Sequence, residues 1–411
     1  MSTADKQSGW LRNARLLGLS LFLLPLLFST RLSAPIPAAA ACFWGILLLA
    51  RTLRTERLGG HTPADWPLLL LLLLLPLGLA VSAQRALSLP HLWAWIAGAA
   101  LFWLMAAQHD HPWLRYSGWL LIAAGLGLAA AVFVATEFPS KLPWLNWDVR
   151  AWQPSLPLVR GSFNPNNSGS LMSLLVLPAL TLALRSTGSG QRLAAGGVAL
   201  LLGLLLLISQ SRGAILGVGV ACVALTLLIS RRWLPVWLMM ALAALIAVRA
   251  TGIPLNWHFL LGGSALDTLI DRQLLWQRGL YLIHDFPFTG VGPGMVEPAI
   301  QLLYPLETAL VEGGFFHVHQ TYLQFAAEMG LLGLLAWVAL LGSLATGLLH
   351  AWRNAVEPSM RTLALALLGS LIVYAVHSFF DVPTHSPLLR VLLLGLMGLM
   401  AAVSRAAYTT T

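Results

Sequence analysis

Long apolar runs alternate with short polar turns along most of the chain, which has 411 residues. The hydrocarbon core of a bilayer takes about 20 helical residues, and somewhat shorter runs span it when flanking side chains reach outward. The pattern therefore predicts an all-α integral membrane protein with about twelve membrane-spanning helices. The runs are 16–30, 36–50, 67–83, 89–107, 114–134, 168–184, 192–209, 214–230, 233–248, 331–350, 361–379 and 388–404.

The composition excludes a soluble globular protein. Hydrophobic residues make up 58% of the chain and charged residues only 9%, whereas soluble domains carry about a quarter charged residues. So few charges cannot cover a surface that faces water. The formal net charge is +9. Membrane topology and an anionic substrate explain that excess better than nucleic-acid binding, which we do not expect.

Arginines in the short turns set the predicted orientation. Cytoplasmic loops carry the excess of Lys and Arg, and arginines follow the second, fourth, sixth, eighth and tenth runs. Both termini are therefore predicted to be cytoplasmic. The basic start of the chain also fits a signal peptide, but the many later runs favour an uncleaved helix. Residues 1–411 are then one polytopic domain, in which 249–330 is a long outer loop between spans nine and ten.

Nine arginines fall on the predicted outer side, against the usual bias. Each alone is explained by reaching the interface and contacting lipid phosphates. Together they suggest an anion site at the outer membrane surface. They are Arg31, Arg85, Arg150, Arg160, Arg212, Arg249, Arg272, Arg278 and Arg390.

Two outer turns carry candidate chemistry. The turn 160–168 contains Gly, Pro and Asn, and Asn167 or Ser168 is expected to cap the next helix. A pure capping turn and a sugar or phosphate site lined by Arg160 and Asn166 both stay open. The second turn, 209–214, places Arg212 between two apolar spans, where a guanidinium needs water, headgroups or a ligand.

The long outer loop contains a predicted amphipathic helix over 267–283. Apolar residues alternate there with charges at helical spacing, which is typical of a helix lying at the membrane interface. Arg272 and Trp276 are four residues apart and share one face. The alternative is a solvated basic face with ion pairs to Asp267 or Asp271.

Two histidines stand at the start of the next predicted helix, behind a glycine-rich turn. The turn 287–294 lacks the Lys-Ser/Thr pair of a phosphate-binding loop. His317 and His319 follow at a helix N-terminus, where the dipole disfavours the imidazolium, so that a neutral imidazole suits a general base. A capping or interfacial role is the alternative. A metal pair is also open, although no cysteine or acidic pair stands nearby in sequence.

Asp381 is the only acid in the last two predicted spans and the outer turn between them. A carboxylate there is suited to orient a histidine or to hold an arginine. A plain helix-end residue is an equal alternative.

These motifs, in this order, resemble the O-antigen ligase and polymerase superfamily of bacterial membrane glycosyltransferases. The resemblance covers roughly residues 160–385 of the sequence. The family usually has Asn after its central histidine, where this chain has Gln320. The matching residues are Gly161-Ser-Phe-Asn-Pro-Asn166, Ser211-Arg-Gly-Ala214, Trp276, Pro287-x-x-Gly-Val-Gly-x-Gly294, His319-Gln-x-Tyr-Leu-Gln324 and Glu328-x-Gly-x-x-Gly333.

The resemblance implies a C-type glycosyltransferase-like scaffold in the bacterial inner membrane. It implies transfer of O-antigen polysaccharide from undecaprenyl pyrophosphate to a sugar hydroxyl of lipid A–core on the periplasmic face. The family's essential histidine carries over to His319, with His317 as the fallback, and its arginines to Arg212 and Arg272. The lack of a large outer domain after the last span favours the lipopolysaccharide-ligase branch over the protein-glycosylating one.

The expected reaction needs no cofactor. Many lipid-linked sugar transferases use a metal held by acids in the first outer loop, but here that loop holds Arg31 and no acid, so we expect no metal site and a metal-independent reaction. Displacement in one step would invert the anomeric centre. The expected partners are the polyprenyl-linked donor, the lipid A–core acceptor and membrane lipids. Two other functions stay open: an O-antigen polymerase that uses the same donor, and a flippase or transporter of lipid-linked oligosaccharides.

Overall fold

The computed structural model describes residues 35–55, 62–107, 114, 116–136, 138, 164–250, 263–305 and 317–409. The regular structure of these residues is helical, as the apolar runs predict, and it is consistent with an α-helical membrane protein. The helices are α1 Pro35–Thr55, α2 Asp65–Val81, α3 Arg85–Ala106, α4 Ser117–Ala135, α5 Pro165–Arg185, α6 Ser189–Ser209, α7 Arg212–Ile229, α8 Leu234–Ala250, α9 Gly263–Asp285, α10 Val296–Leu303, α11 Thr321–Asn354, α12 Pro358–His377 and α13 Pro387–Thr409.

Among the described residues, eight helices are long and apolar enough to cross a bilayer, namely α3, α4, α5, α6, α7, α11, α12 and α13. Helix α2 is apolar but shorter, with 17 residues. The predicted run 16–30 lies outside the described residues, and α1 and α8 are not among the eight. The figure of about twelve spans therefore stays a prediction.

Helix α5 begins three residues earlier than its apolar run. The side chain of Asn164 accepts a hydrogen bond of 2.8 Å from the backbone N–H of Asn167, and Pro165 occupies the first helical position. A proline there needs no backbone donor, and an asparagine is a favoured N-cap. The prediction that Asn167 or Ser168 caps this helix is wrong, because both lie inside its first turn.

Helix α11 is broken at Gly330, whose φ of 71° and ψ of 179° are not helical. The break frees backbone groups that the glycine-rich turn uses. The N–H of Leu331 donates to the carbonyl of Pro287 at 2.8 Å, and the N–H of Gly292 donates to the carbonyl of Glu328 at 3.0 Å. A Cβ on Gly330 would collide with the carbonyl of Phe288. The glycines of both segments therefore let two stretches of backbone bond side by side.

The predicted amphipathic helix is present as α9, which packs against α11 and is not among the apolar spans. Leu275 and Leu282 bury its apolar face, together with Val318 just before α11. The side chains of Asp267 and Asp271 lie outside the described ones, so the predicted alternative of ion pairs to them is not tested.

Helix packing brings the helix ends that carry polar and titratable residues to one face of the bundle. Helix α12 packs against α5, α7 and α11, and α13 packs against α3 and α11. Below this face, the ring of Phe325 stacks on that of Trp337 at 4.5 Å, and Trp95 and Tyr374 pack edge-on to Trp337. This layer of packed aromatic rings supports the side chains at the face above it.

Candidate functional site

The two predicted histidines lie at the start of α11. The side chain of Gln320 caps the helix by accepting from the backbone N–H of Leu323. His319, just before the cap, has a φ of 53°, in the left-handed region that non-glycine residues rarely adopt. The backbone N–H of His319 donates to Nδ1 of His317 at 3.2 Å, and the two rings meet edge to face. A strained residue fixed in this way is typical of a functional site.

Asp381 lies at the centre of these histidines, on the corner that follows α12. Its Oδ1 is 3.4 Å from Nδ1 of His319 and 3.9 Å from Nε2 of His317. Its Oδ2 is 4.0 Å from Nε2 of His377, and the side chain of Asp381 is only 9% exposed. The backbone N–H of Val382 also donates to Oδ1 at 2.8 Å. Of the two predicted roles, orienting a histidine fits this geometry.

Burial and neighbouring charges tune the ionisation of this cluster. Burial alone would raise the pKa of Asp381, but contact with His319 and the nearby imidazoles outweighs it and lowers the pKa. Burial lowers the pKa of His317 to about 4, and His319 adds to the shift while Asp381 opposes it. At neutral pH, Asp381 is therefore an anion and His317 is uncharged.

The potential ligand atoms of His317, His319 and Asp381 lie within 4.8 Å of one another, which is close enough to bind a metal ion. The hydrogen bond into Nδ1 of His317 argues against one. Because that nitrogen accepts, the proton of the neutral ring must sit on Nε2, which then faces the carboxylate as a donor. A metal needs a lone pair on the nitrogen that it binds. The donor set therefore fits a proton-holding cluster better than a cation.

The two predicted outer turns meet this cluster. Ser170, in the second turn of α5, lies 2.9 Å through its Oγ from Nε2 of His377. A Cβ added to Gly169 would collide with Ser211, and one added to Gly213 would lie 3.3 Å from Nδ1 of His377. The start of α5, the α6–α7 turn and the end of α12 are therefore in direct contact.

The serine, histidine and aspartate do not form a nucleophilic triad. In such a triad the serine and the carboxylate contact opposite nitrogens of the imidazole. Here both Ser170 and Asp381 approach Nε2 of His377. A serine-based covalent mechanism is therefore not what this geometry supports.

Two predicted arginines border the cluster from separate helices. Arg212 is the first residue of α7 and is exposed, where free backbone N–H groups point out of the helix. Arg272, on α9, is partly buried, and among the described residues its Nε has no hydrogen-bond partner. Burial lowers the pKa of Arg272, Asp381 opposes that shift, and Arg212 adds to it. Two guanidiniums and one carboxylate thus act on each other within a single site.

The structure brings together His317, His319, Asp381, Arg212 and Arg272, which the motifs predicted. Asn166 lies in the first turn of α5, where its carbonyl accepts from Ser170 at 2.9 Å. Arg160 lies outside the described residues. The motifs did not assign roles to His377 or Ser170, although both stand within stretches that the sequence marks as polar breaks or helix ends.

These features define a class: a multi-pass helical membrane protein with a histidine–aspartate–arginine site at one end of its bundle. Residues 197–338 match the family described as O-antigen ligase. This match supports an O-antigen ligase and polymerase family protein, as the motifs indicate, and this family is a membrane glycosyltransferase-like one. The matched segment contains Arg212, Arg272 and both histidines, whereas Asp381 lies beyond it. No curated protein matches the chain.

Proposed function

We propose that the protein transfers O-antigen polysaccharide from undecaprenyl pyrophosphate to a sugar hydroxyl of lipid A–core, at the periplasmic face of the inner membrane. The observation that carries this proposal is the grouping of His319 and the buried Asp381, 3.4 Å apart, with Arg212 and Arg272. The grouping supplies a base and a cationic site together, which is what glycosyl transfer from a pyrophosphate needs.

His319 acts as the general base. With Asp381 facing Nδ1, the proton of the neutral ring is held on that nitrogen and Nε2 keeps the lone pair. The acceptor hydroxyl attacks the anomeric carbon while its proton passes to Nε2. The contact of 3.4 Å is longer than a normal hydrogen bond, and such contacts often tighten only when substrate binds.

Arg212 and Arg272 stabilise the leaving group. As the new glycosidic bond forms, the bond between the anomeric carbon and the phosphate oxygen breaks, and undecaprenyl pyrophosphate leaves as an anion. A pyrophosphate needs charge stabilisation more than a proton, and guanidiniums bind phosphate oxygens in pairs. Displacement in one step inverts the anomeric centre. Because the His317 ring presents a donor to Asp381, we propose that the reaction needs no metal.

The proposal is tested with purified protein, a polyprenyl-pyrophosphate glycan and lipid A–core. We expect a ladder of glycosylated lipid A–core that persists in EDTA. His319→Ala is expected to reduce the rate at least 100-fold, the typical contribution of a general base. His284→Ala is the matched control, because His284 pairs with Asp285 at 2.9 Å on the exposed end of α9. Wild-type rates in His319→Ala would refute the base, and loss of turnover in EDTA that Mg²⁺ restores would refute metal independence.

Two other functions give different results in the same assay. A polymerase would lengthen the donor glycan without lipid A–core, because the growing chain is its acceptor. A flippase would form no covalent product and would move the donor across a vesicle membrane. The clustering of the charged groups at one end of the bundle favours an enzyme, since transporters place theirs near the midplane.

A further inference from the structure

A second polar cluster lies buried beside the candidate site, where α3 and α13 meet. Arg390, in the first turn of α13, is only 3% exposed. Its Nε donates to the carbonyl of Thr384 at 2.9 Å, and its Nη1 donates to the carbonyl of His91 at 3.0 Å. Its Nη2 lies 3.1 Å from Nδ1 of His91, and its guanidinium lies 4.9 Å from the centre of the Trp95 ring. A buried guanidinium is tolerated only when its donors are used in this way.

A carboxylate on α11 completes this cluster and ties it to the histidine segment. Oε1 of Glu328 accepts from the backbone N–H of Gly294 at 2.9 Å and from Nε2 of Gln324 at 2.7 Å. Oε1 of Gln324 accepts in turn from the backbone N–H of Val318 at 3.0 Å, between the two site histidines. Glu328 and Arg390 also attract each other electrostatically.

A row of imidazole rings connects Arg390 to the proposed base. The ring of His91 lies 5.2 Å from that of His385, and His385 lies 5.2 Å from His317. The rings of His317 and His319 are 4.2 Å apart. Burial lowers the pKa of His385 well below its usual range, and His317 and then Arg390 lower it further. The charged and titratable groups that face His385 are His91, His317, His319, Asp381 and Arg390.

We propose that Arg390 is a positioning residue for the transferase site: it fixes the corner that carries Asp381, and its buried charge keeps the histidines beside the base uncharged. The inference rests on the proposed function. Arg390 contacts no reacting group. It acts through Thr384 and His91, which hold the corner and the far end of the imidazole row. A second positive charge in that row would repel the proton that His319 must accept.

The experiment compares Arg390→Lys and Arg390→Met with wild type in the ligation assay, over a range of pH. Lysine keeps the charge but loses the planar set of donors, so kcat is expected to fall about 10-fold while the acid limb of the pH–rate profile stays in place. Methionine also removes the charge, so the acid limb is expected to move to higher pH by about one unit. KM for the donor is expected to stay unchanged in both variants.

Arg361→Met is the matched control, because Nε of Arg361 also donates to a helix-end carbonyl, that of Ala355, at the opposite end of α12. It is expected to keep the wild-type kcat and acid limb. A kcat within twofold of wild type in Arg390→Lys would overturn the positioning role. An unmoved acid limb in Arg390→Met would overturn the role of the charge. If Arg390→Met does not fold, Arg390→Lys decides the proposal. If the wild-type protein itself catalyses no ligation in this assay, the proposed function is refuted instead.

Discussion

His319 is the residue where backbone geometry and proposed chemistry coincide. Its φ of 53° is strained for any side chain with a Cβ, and glycine relieves such strain. This conformation was not predictable from the sequence, because glycine is the residue that ordinarily marks a left-handed backbone and position 319 holds a histidine. The polar environment of the side chain, by contrast, was predictable from its place in a break between apolar runs.

We expect His319→Gly to be more stable than His319→Ala by about 1 kcal/mol, because glycine occupies a positive φ without strain. Both variants are expected to be inactive, since both lack the imidazole. Thermal unfolding in detergent and the ligation assay measure the two properties on the same samples. An alanine variant as stable as the glycine variant would show that residue 319 is not strained.

His317 gives a second prediction, about pH. Its pKa falls from an unfolded value near 6.5 to about 4 in the folded protein, so the unfolded chain takes up a proton first. Stability from the uncharged ring is complete above about pH 6.5 and is lost as the pH falls towards about 4. We expect the midpoint of thermal unfolding to fall more between pH 7 and pH 5 in wild type than in His317→Gln. Parallel curves would contradict this assignment.

Among the elements, α11 shows how a motif in the sequence takes its meaning from its partner. The sequence was sufficient to exclude the glycine-rich turn as a phosphate-binding loop, but not to predict which part of the protein it contacts. It bonds to the break at Gly330, and Gly290, with a φ of 64°, packs directly on the backbone of Glu328. The local sequence shows that the turn 287–294 and the segment around Gly330 are both rich in glycine. It does not show that the two segments pair, because no local signal specifies which distant backbone a turn contacts.

We expect Gly330→Ala to destabilise the protein by at least 2 kcal/mol, because the new Cβ is strained at positive φ and meets the carbonyl of Phe288. Gly342→Ala is the control on the same helix, since a Cβ there would meet nothing within 4 Å. It is expected to be neutral or slightly stabilising. The midpoints of thermal unfolding of the two purified variants test this difference, and equal midpoints would contradict the role of the break.

At the scale of the whole molecule, the alternation of spans explains why the site residues share a face. Consecutive spans run in opposite directions, so the starts of α5 and α7 fall on one side, and so do the start of α11 and the end of α12. The contact between Ser170 on α5 and His377 at the end of α12 joins these two pairs on a single face. The proposed orientation puts that side in the periplasm and both termini in the cytoplasm. The same alternation separates this face from Arg185 at the end of α5 and Arg192 at the start of α6.

This orientation predicts which positions a membrane-impermeant thiol reagent reaches in spheroplasts. After removal of Cys42 and Cys222, a cysteine at the exposed Gln301 on α10 is expected to be labelled. A cysteine at the exposed Ser189, at the start of α6, is expected to react only after the membrane is permeabilised. The reverse pattern would place the site in the cytoplasm and exclude a periplasmic transferase.

The sequence by itself determined the helical membrane class and the stretches that carry chemistry. Both follow from local physics. The free energy of placing an apolar run in a bilayer depends on that run alone, and a charged residue beside such a run is recognisable from the sequence because it is costly to place in the membrane. Arg212, Arg272, Asp381 and the pair His317 and His319 could be singled out on these grounds, and the family resemblance then selected His319.

Only the tertiary structure decided which of these side chains meet and what holds them. Arg390 bonds to His91, which is 299 positions earlier in the chain, and Ser170 meets His377 across two packed helices. Such contacts depend on how distant helices pack together, and helix packing is set by the joint shape of many side chains. A single chain read in order carries no signal for that geometry.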